Sequence, residues 1–147
     1  EVWQETGRTI TEHDRLERQQ PPKYDALYIG LDFIDRQDLR DRIDRRVDIM
    51  VEQGLLAEVK ALLDSGLPRD ATALQAIGYK EFFPYFEGTA DLESCLAHLK
   101  QASRNYAKRQ LTWFRRQTDA VWLYLEDGNL EQQAAEQTEA FLAENNA

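Results

Sequence analysis

The residues best suited to chemistry form one basic stretch between Lys100 and Arg116. On a helix, Lys100, Arg104, Lys108 and Arg115 would lie at about 0°, 40°, 80° and 60° around the axis, within one stripe. Four cations on one side of a helix match a chain of phosphates or one diphosphate better than a single carboxylate. The stretch therefore predicts a phosphate-binding helix face, and the alternative is a face that is merely solvated.

The charge distribution favours an anionic partner over simple solvation. The 147-residue chain has 18 basic and 27 acidic residues, a net charge of −9, yet residues 94–118 contain 6 basic residues and no Asp or Glu. A solvated helix usually mixes charge signs to form pairs one turn apart. Residues 1–93 and 119–147 are acidic, with net charges of −8 and −7. These flanks argue against a free-standing RNA-binding module, because they would repel RNA unless they face away from it.

The opposite side of the same stretch is apolar at a spacing of seven. On a helix, Leu99, Tyr106 and Trp113 would lie at about 260°, 240° and 220°. We expect these three side chains to form the seam that packs the helix against a core.

A second candidate segment runs from Gln75 to Glu81. Gly78 would cost a helix roughly 1 kcal/mol relative to alanine, which predicts a place where the backbone approaches something closely. Tyr79 offers a stacking ring and Lys80 a cation, and both suit a nucleotide. The alternative is a helix-packing glycine beside an aromatic core residue.

Other chemistry-bearing residues favour structural roles. The alternating Arg and Asp residues between 35 and 48 are typical of a salt-bridged surface helix. His13 and His98 lack metal-ligand spacing, and Cys95 is predicted to lie in the core. We identify no catalytic residue and no metal ligand in this chain. One cysteine suits a reducing compartment such as the cytoplasm, and no apolar run is long enough for a transmembrane helix.

The apolar pattern predicts a mostly helical chain with two short strands. Strands are expected within 26–33 and 121–125, both covered on two faces as in a parallel sheet. Two such strands do not form a stable sheet alone, so we expect a piece of a larger α/β protein, with residue 1 at a cut point.

The helices have recognisable ends. Asp35 is predicted to cap a long helix that Gly54 interrupts and that ends at Gly66 and Pro68. Thr89 is predicted to cap a helix that continues to about Arg116. An early helix closes at Gly7, a short helix capped by Thr9 or Thr11 follows, and a last helix starts after Gly128 and Asn129.

Three blocks of residues, in this order, resemble the C-terminal half of a tRNA dimethylallyltransferase, also called tRNA isopentenyltransferase. The resemblance covers about residues 6–124. The second and third blocks are Leu74–Glu81 and Arg104–Arg115. The first block comprises Asp32, Phe33, Arg36, Leu39, Arg42, Ile43, Arg46, Val47, Met50, Gly54, Leu55, Glu58 and Val59.

The resemblance implies the C-terminal part of a P-loop-like α/β core, here spanning residues 1–147, without the N-terminal half that carries the phosphate loop and a catalytic Asp. It implies transfer of a dimethylallyl group from dimethylallyl diphosphate to N6 of adenosine 37 in the tRNA anticodon stem-loop. Such an enzyme flips its target base into a channel. Mg²⁺ as cofactor, a monomeric whole enzyme and no membrane partner are further expectations, and this chain alone is expected to be inactive.

The resemblance also implies site residues. By their charge and their position in the cationic stripe, Arg104 and Lys108 are the candidates to face the diphosphate. Contacts with tRNA and the channel are expected from Gln75, Ala76, Ile77, Gly78, Tyr79, Lys80, Lys108, Arg109, Gln110, Leu111, Thr112, Trp113, Phe114 and Arg115. The alternative function is a free-standing RNA-binding or protein-docking helical module without catalysis.

Overall fold

The computed structural model describes residues 2–17, 19, 21, 23–117 and 119–145, with only the backbone of Gln117. Within these residues the chain is mostly helical. The helices are α1 Val2–Thr6, α2 Ile10–Glu17, α3 Arg36–Glu52, α4 Leu55–Asp64, α5 Phe83–Phe86, α6 Leu92–Gln117 and α7 Leu130–Asn145; the strands are β1 Ile29–Asp32 and β2 Val121–Tyr124. Short 3-10 turns occur at Thr72–Gln75, Lys80–Phe82 and Leu125–Asp127.

The two strands pair in parallel, as the sequence predicted, with Ile29 opposite Val121 and Asp32 opposite Tyr124. Gly30 lies opposite Trp122, and a Cβ atom at Gly30 would lie 2.7 Å from the indole ring. The expected cover on both faces is not met within the described residues. Leu31 is 58% exposed, because the sheet has only these two strands there.

The end of β1 leads directly into α3. The Asp35 side chain accepts a hydrogen bond from the Gln37 N–H at 2.7 Å, which confirms the predicted N-cap. Gly54 has a φ of 105° and separates α3 from α4, so the predicted interruption is also confirmed.

The core lies where α3, α4 and the first half of α6 meet. Its buried side chains are Val47, Leu55, Val59, Phe82, Cys95 and Leu99. Cys95 is a free thiol and 1% exposed, which agrees with its predicted core position.

Two local predictions were wrong. The N-cap of α6 is Asp91, whose carboxylate accepts a hydrogen bond from Ser94 N–H at 2.6 Å, whereas the Thr89 hydroxyl donates to the Pro84 carbonyl. Gly78 does not lie in a helix. Its φ is 109°, and a Cβ atom there would meet nothing within 4 Å, so the backbone conformation and not close approach favours glycine.

Candidate nucleic-acid interface

The predicted cationic stripe lies on α6, but three of its four members are paired with carboxylates. Lys100 Nζ lies 2.7 Å from an Asp48 carboxylate oxygen, and Arg104 Nη1 lies 2.5 Å from Asp44 Oδ1. Both aspartates belong to α3. The sequence showed no acidic residue beside the stripe because these partners are 52 and 60 positions away.

These pairs also change the interpretation of α3. Its alternating charges suggested pairs within one helix, yet Asp44 and Asp48 bind α6 instead. The side chains in these two pairs are between 25% and 50% exposed. Each pair therefore contributes at most about 1 kcal/mol to the free energy of unfolding, and its main effect is to fix the alignment of α3 and α6.

Arg115 is held at the carboxyl end of the strand pair. Its Nη2 atom lies 2.6 Å from Asp32 Oδ2, and its guanidinium lies 5.3 Å from the centre of the Trp122 ring. Asp32 is 2% exposed and also accepts hydrogen bonds from Arg36 and from Phe33 N–H. The buried carboxylate therefore orients two arginines toward the same edge.

Sequence reasoning placed Asp32 in a family block but gave it no role in the site. The available signal was an acidic residue at the carboxyl end of an apolar strand in a parallel sheet, the edge at which such sheets bind ligands.

A second carboxylate ties the two strand ends together. Glu126 Oε1 accepts hydrogen bonds from Ile34 N–H at 3.0 Å and Asp35 N–H at 3.3 Å. Partial desolvation raises the pKa of Glu126, but these bonds outweigh it, and the pKa lies below its ordinary value. The contact fixes the start of α3 beside the end of β2.

The two candidate diphosphate residues, Arg104 and Lys108, line one groove of about 750 Å³ between α3 and α6. Arg36, Arg40 and Arg115 line the same groove. Arg104 is neutralised by Asp44, whereas Lys108 has no carboxylate within ion-pair distance among the described residues. The groove therefore has cations on both of its walls.

The predicted apolar seam on α6 is correct only at Leu99, which is 1% exposed. Tyr106 and Trp113 are 47% and 56% exposed. Half-buried positions continue from Leu99 at steps of four, at Ser103, Ala107 and Leu111. Each such step advances about 40° around the helix, so the packed face turns toward the cationic stripe and leaves the aromatic rings outside.

The outer face of α6 combines these rings with cations. A shallow groove of about 530 Å³ is lined by Asn105, Lys108, Arg109, Thr112, Trp113 and Arg116. The Arg109 guanidinium lies 5.7 Å from the centre of the Tyr106 ring, and Trp113 packs edge-on against Phe114. Exposed aromatic rings among cations can stack with bases and contact phosphates.

The other candidate segment, Gln75–Lys80, lies beside the first half of α6. Ile77 and Tyr79 pack against the buried cluster that contains Cys95 and Leu99, while Gln75, Ala76 and Lys80 are exposed. The structure does not bring this segment next to Lys108–Arg115. Lys108 follows Leu99 by nine residues, about 14 Å along α6.

The resemblance implies Mg²⁺, but the described residues do not fit a site for it. No three His, Cys, Asp or Glu side chains come together in the described ranges as metal ligands would. Nor does any helix of the described chain have the length and apolar character needed to cross a membrane.

Fold and surface together define a mostly helical protein with a parallel strand pair and a long helix that exposes cations and aromatic rings. Residues 1–117 match the IPP transferase family model. The chain belongs to the IPP transferase family.

Similar proteins support the same conclusion. The chain is 46% identical over 136 residues to a tRNA dimethylallyltransferase of Halalkalibacterium halodurans, which covers 92% of this chain and 43% of the relative. It is 50% identical over 129 residues to the tRNA dimethylallyltransferase of Bacillus cytotoxicus, a match that covers 87% of this chain and 40% of the relative.

Two solved structures are also similar. A tRNA delta(2)-isopentenylpyrophosphate transferase of Staphylococcus epidermidis has a TM-score of 0.75 and 36% identity over 97% of this chain and 46% of its own. The full-length tRNA isopentenylpyrophosphate transferase of Bacillus halodurans has a TM-score of 0.73 and 39% identity. This match covers 93% of the present chain and 46% of the solved one. The chain thus spans under half the length of these relatives.

Proposed function

We propose that this chain is the C-terminal portion of a tRNA dimethylallyltransferase core and that it supplies tRNA and channel contacts. The observation that carries the proposal is the outer face of α6, where Lys108, Arg109 and Trp113 are exposed together in a member of the IPP transferase family. In this proposal the anticodon stem-loop lies along that face, and the whole enzyme acts in the cytoplasm as a monomer.

The proposed reaction transfers a dimethylallyl group to N6 of adenosine 37. The bond between the allylic carbon and the diphosphate oxygen breaks, the carbon–N6 bond forms, and N6 loses a proton to a base. Cations must stabilise the departing diphosphate. Arg104 and Lys108 are proposed for that task from this chain, and Lys108 is the better placed because Asp44 already holds Arg104.

Several components of the reaction are assigned to an N-terminal portion of the same protein. They are the phosphate-binding loop, the general base and the ligands of the proposed Mg²⁺. We assign no catalytic residue in the present chain. Bound Mg²⁺ would add positive charge beside the diphosphate.

The test compares Arg109→Ala with Arg45→Ala in the full-length protein. Both residues are exposed arginines, but Arg45 lies on α3 outside the proposed tRNA surface. We expect Arg109→Ala to weaken tRNA binding roughly tenfold and to reduce the slope of log K against log salt by about 0.7–0.9. Arg45→Ala should leave both unchanged.

The outcomes separate the proposed function from its alternatives. Equal loss in both variants would indicate binding by net charge alone and would overturn the assigned surface. RNA binding by the full-length protein without any prenyl transfer would support a binding module instead. Binding of an acidic protein but not tRNA would support the protein-docking module.

A further inference from the structure

One contact in the Gln75–Lys80 segment has no role in the function described so far. The Tyr79 hydroxyl donates a hydrogen bond of 2.5 Å to Glu58 Oε1 on α4. This bond raises the pKa of the Tyr79 hydroxyl, and burial and the charge of Glu58 act in the same direction. The hydroxyl therefore stays protonated as the donor over the physiological range.

The same contact favours a structural role for Tyr79 over the stacking role that its sequence suggested. A ring that stacks on a base needs an open face. The Tyr79 ring is partly buried and packs against the core cluster, as Ile77 does, and its hydroxyl is hydrogen-bonded to Glu58. Tyr79 thus faces the protein, and Gln75, Ala76 and Lys80 are left at the surface.

The segment is fixed at three further points. Leu74 and Phe82 are both fully buried and anchor its two sides. Gly78 N–H donates to Glu81 Oε2 at 2.8 Å, which supports the positive φ of Gly78. Glu58 differs from these contacts because it belongs to another element, α4. It lies on that helix between Leu55 and Val59, which are both buried in the core.

We infer that Glu58 is a positioning residue, which holds Tyr79 and thereby presents Lys80 and Gln75 to tRNA. This inference rests on the proposed function. Glu58 itself touches no substrate in it. Leu74 and Phe82 anchor the two sides of the segment in the core, and the bond from Tyr79 to α4 adds a directional contact between them that fixes the orientation of the segment.

The test uses the full-length protein and three variants at this contact. Tyr79→Phe removes only the hydroxyl and Glu58→Ala only the acceptor, so each should raise the KM for tRNA about five- to tenfold. The kcat and the KM for dimethylallyl diphosphate should stay unchanged. Glu58→Gln keeps an acceptor oxygen and should recover most of the tRNA affinity.

Two further measurements isolate the contact. The double variant Tyr79→Phe, Glu58→Ala should be no worse than either single variant, because both remove the same bond. Asp64→Asn is the matched control, since Asp64 is an exposed carboxylate on α4 that pairs only with Lys60 among the described residues. It should leave the KM for tRNA unchanged.

The outcomes distinguish this inference from the proposed function. Additive losses in the double variant, or equal loss of kcat and of affinity for both substrates, would overturn the positioning role. If Lys80→Ala and Arg109→Ala weaken tRNA binding but Tyr79→Phe leaves the KM for tRNA unchanged, the positioning role is wrong and the proposed function stands. If Lys80→Ala and Arg109→Ala also leave tRNA binding unchanged, the proposed function fails with it.

Discussion

At the scale of single residues, Asp32 is the buried carboxylate of the site, and it accepts hydrogen bonds from three donors. It is 2% exposed, and Arg36, Arg115 and Phe33 N–H all donate to it. Asp32→Ala should lower the free energy of unfolding by about 2 kcal/mol. This loss is smaller than for a fully buried ion pair, because Arg36 and Arg115 are about half exposed and can be hydrated once the carboxylate is removed. Urea unfolding of the full-length protein measures this.

Asp64→Asn provides the comparison at residue scale. Asp64 pairs with Lys60 at 2.6 Å, but both side chains are at least 60% exposed. Its loss should change the unfolding free energy by less than about 0.5 kcal/mol. Equal effects of the two substitutions would show that the burial of Asp32 adds nothing to its pairing.

At the scale of elements, the start of α6 depends on Asp91. Its hydrogen bonds from Ser94 lower the pKa of Asp91, so the charged cap is favoured in the folded state. Its contribution to stability is complete above the unfolded-state pKa, near 3.8, and is lost as pH falls through the lower folded-state pKa. Asp91→Ala should therefore lower Tm at pH 7, and the difference from the parent should shrink below about pH 4.

The correct cap can be distinguished from the predicted one by the same melting curves. Thr89→Ala removes a hydroxyl that donates to the Pro84 carbonyl and carries no charge. We expect a smaller loss of Tm than for Asp91→Ala and no change of that loss with pH. A larger loss for Thr89→Ala would restore Thr89 as the cap.

Elements were predictable where their signals are local. Asp35 as N-cap, Gly54 as a helix break and the two strands all follow from residues within one or two turns of each other. The pairing of Arg104 with Asp44 was not predictable, because it depends on how α3 crosses α6. The exposed positions of Tyr106 and Trp113 were missed for the same reason, since the direction of packing along α6 is set by its partner helix and not by its own period.

At the scale of the whole molecule, the strand pair exposes apolar surface that a complete sheet would cover. Tyr28, Leu31 and Ile34 are each more than half exposed. An apolar groove of about 490 Å³ runs along this sheet and is lined in part by Leu111, Phe114 and Trp122. Two strands rarely form an independently stable sheet, so the remainder of the proposed enzyme is expected to contribute to the stability of this part.

The proposed reaction also depends on the remainder of the enzyme. The described residues provide cations, but Lys100, Arg104 and Arg115 are each paired with an aspartate. Lys108 and Arg40 are the groove cations without an ion pair among the described residues, and two positive charges leave a diphosphate leaving group partly uncompensated. Adenosine N6 also requires a base, which we assign elsewhere. Residues 1–147 alone should therefore show no detectable transfer of a dimethylallyl group to tRNA under conditions in which the full-length protein modifies it.

A circular dichroism spectrum and a tRNA titration of the same preparation separate loss of chemistry from loss of fold. A helical preparation that binds tRNA without transfer, and regains activity when the remaining part is added as a second polypeptide, is the expected result. Transfer by residues 1–147 alone at a rate comparable to the full-length protein would mean that the cations and a base of this chain suffice. The division of the site between two portions would then be wrong, and the groove between α3 and α6 would become the reaction centre.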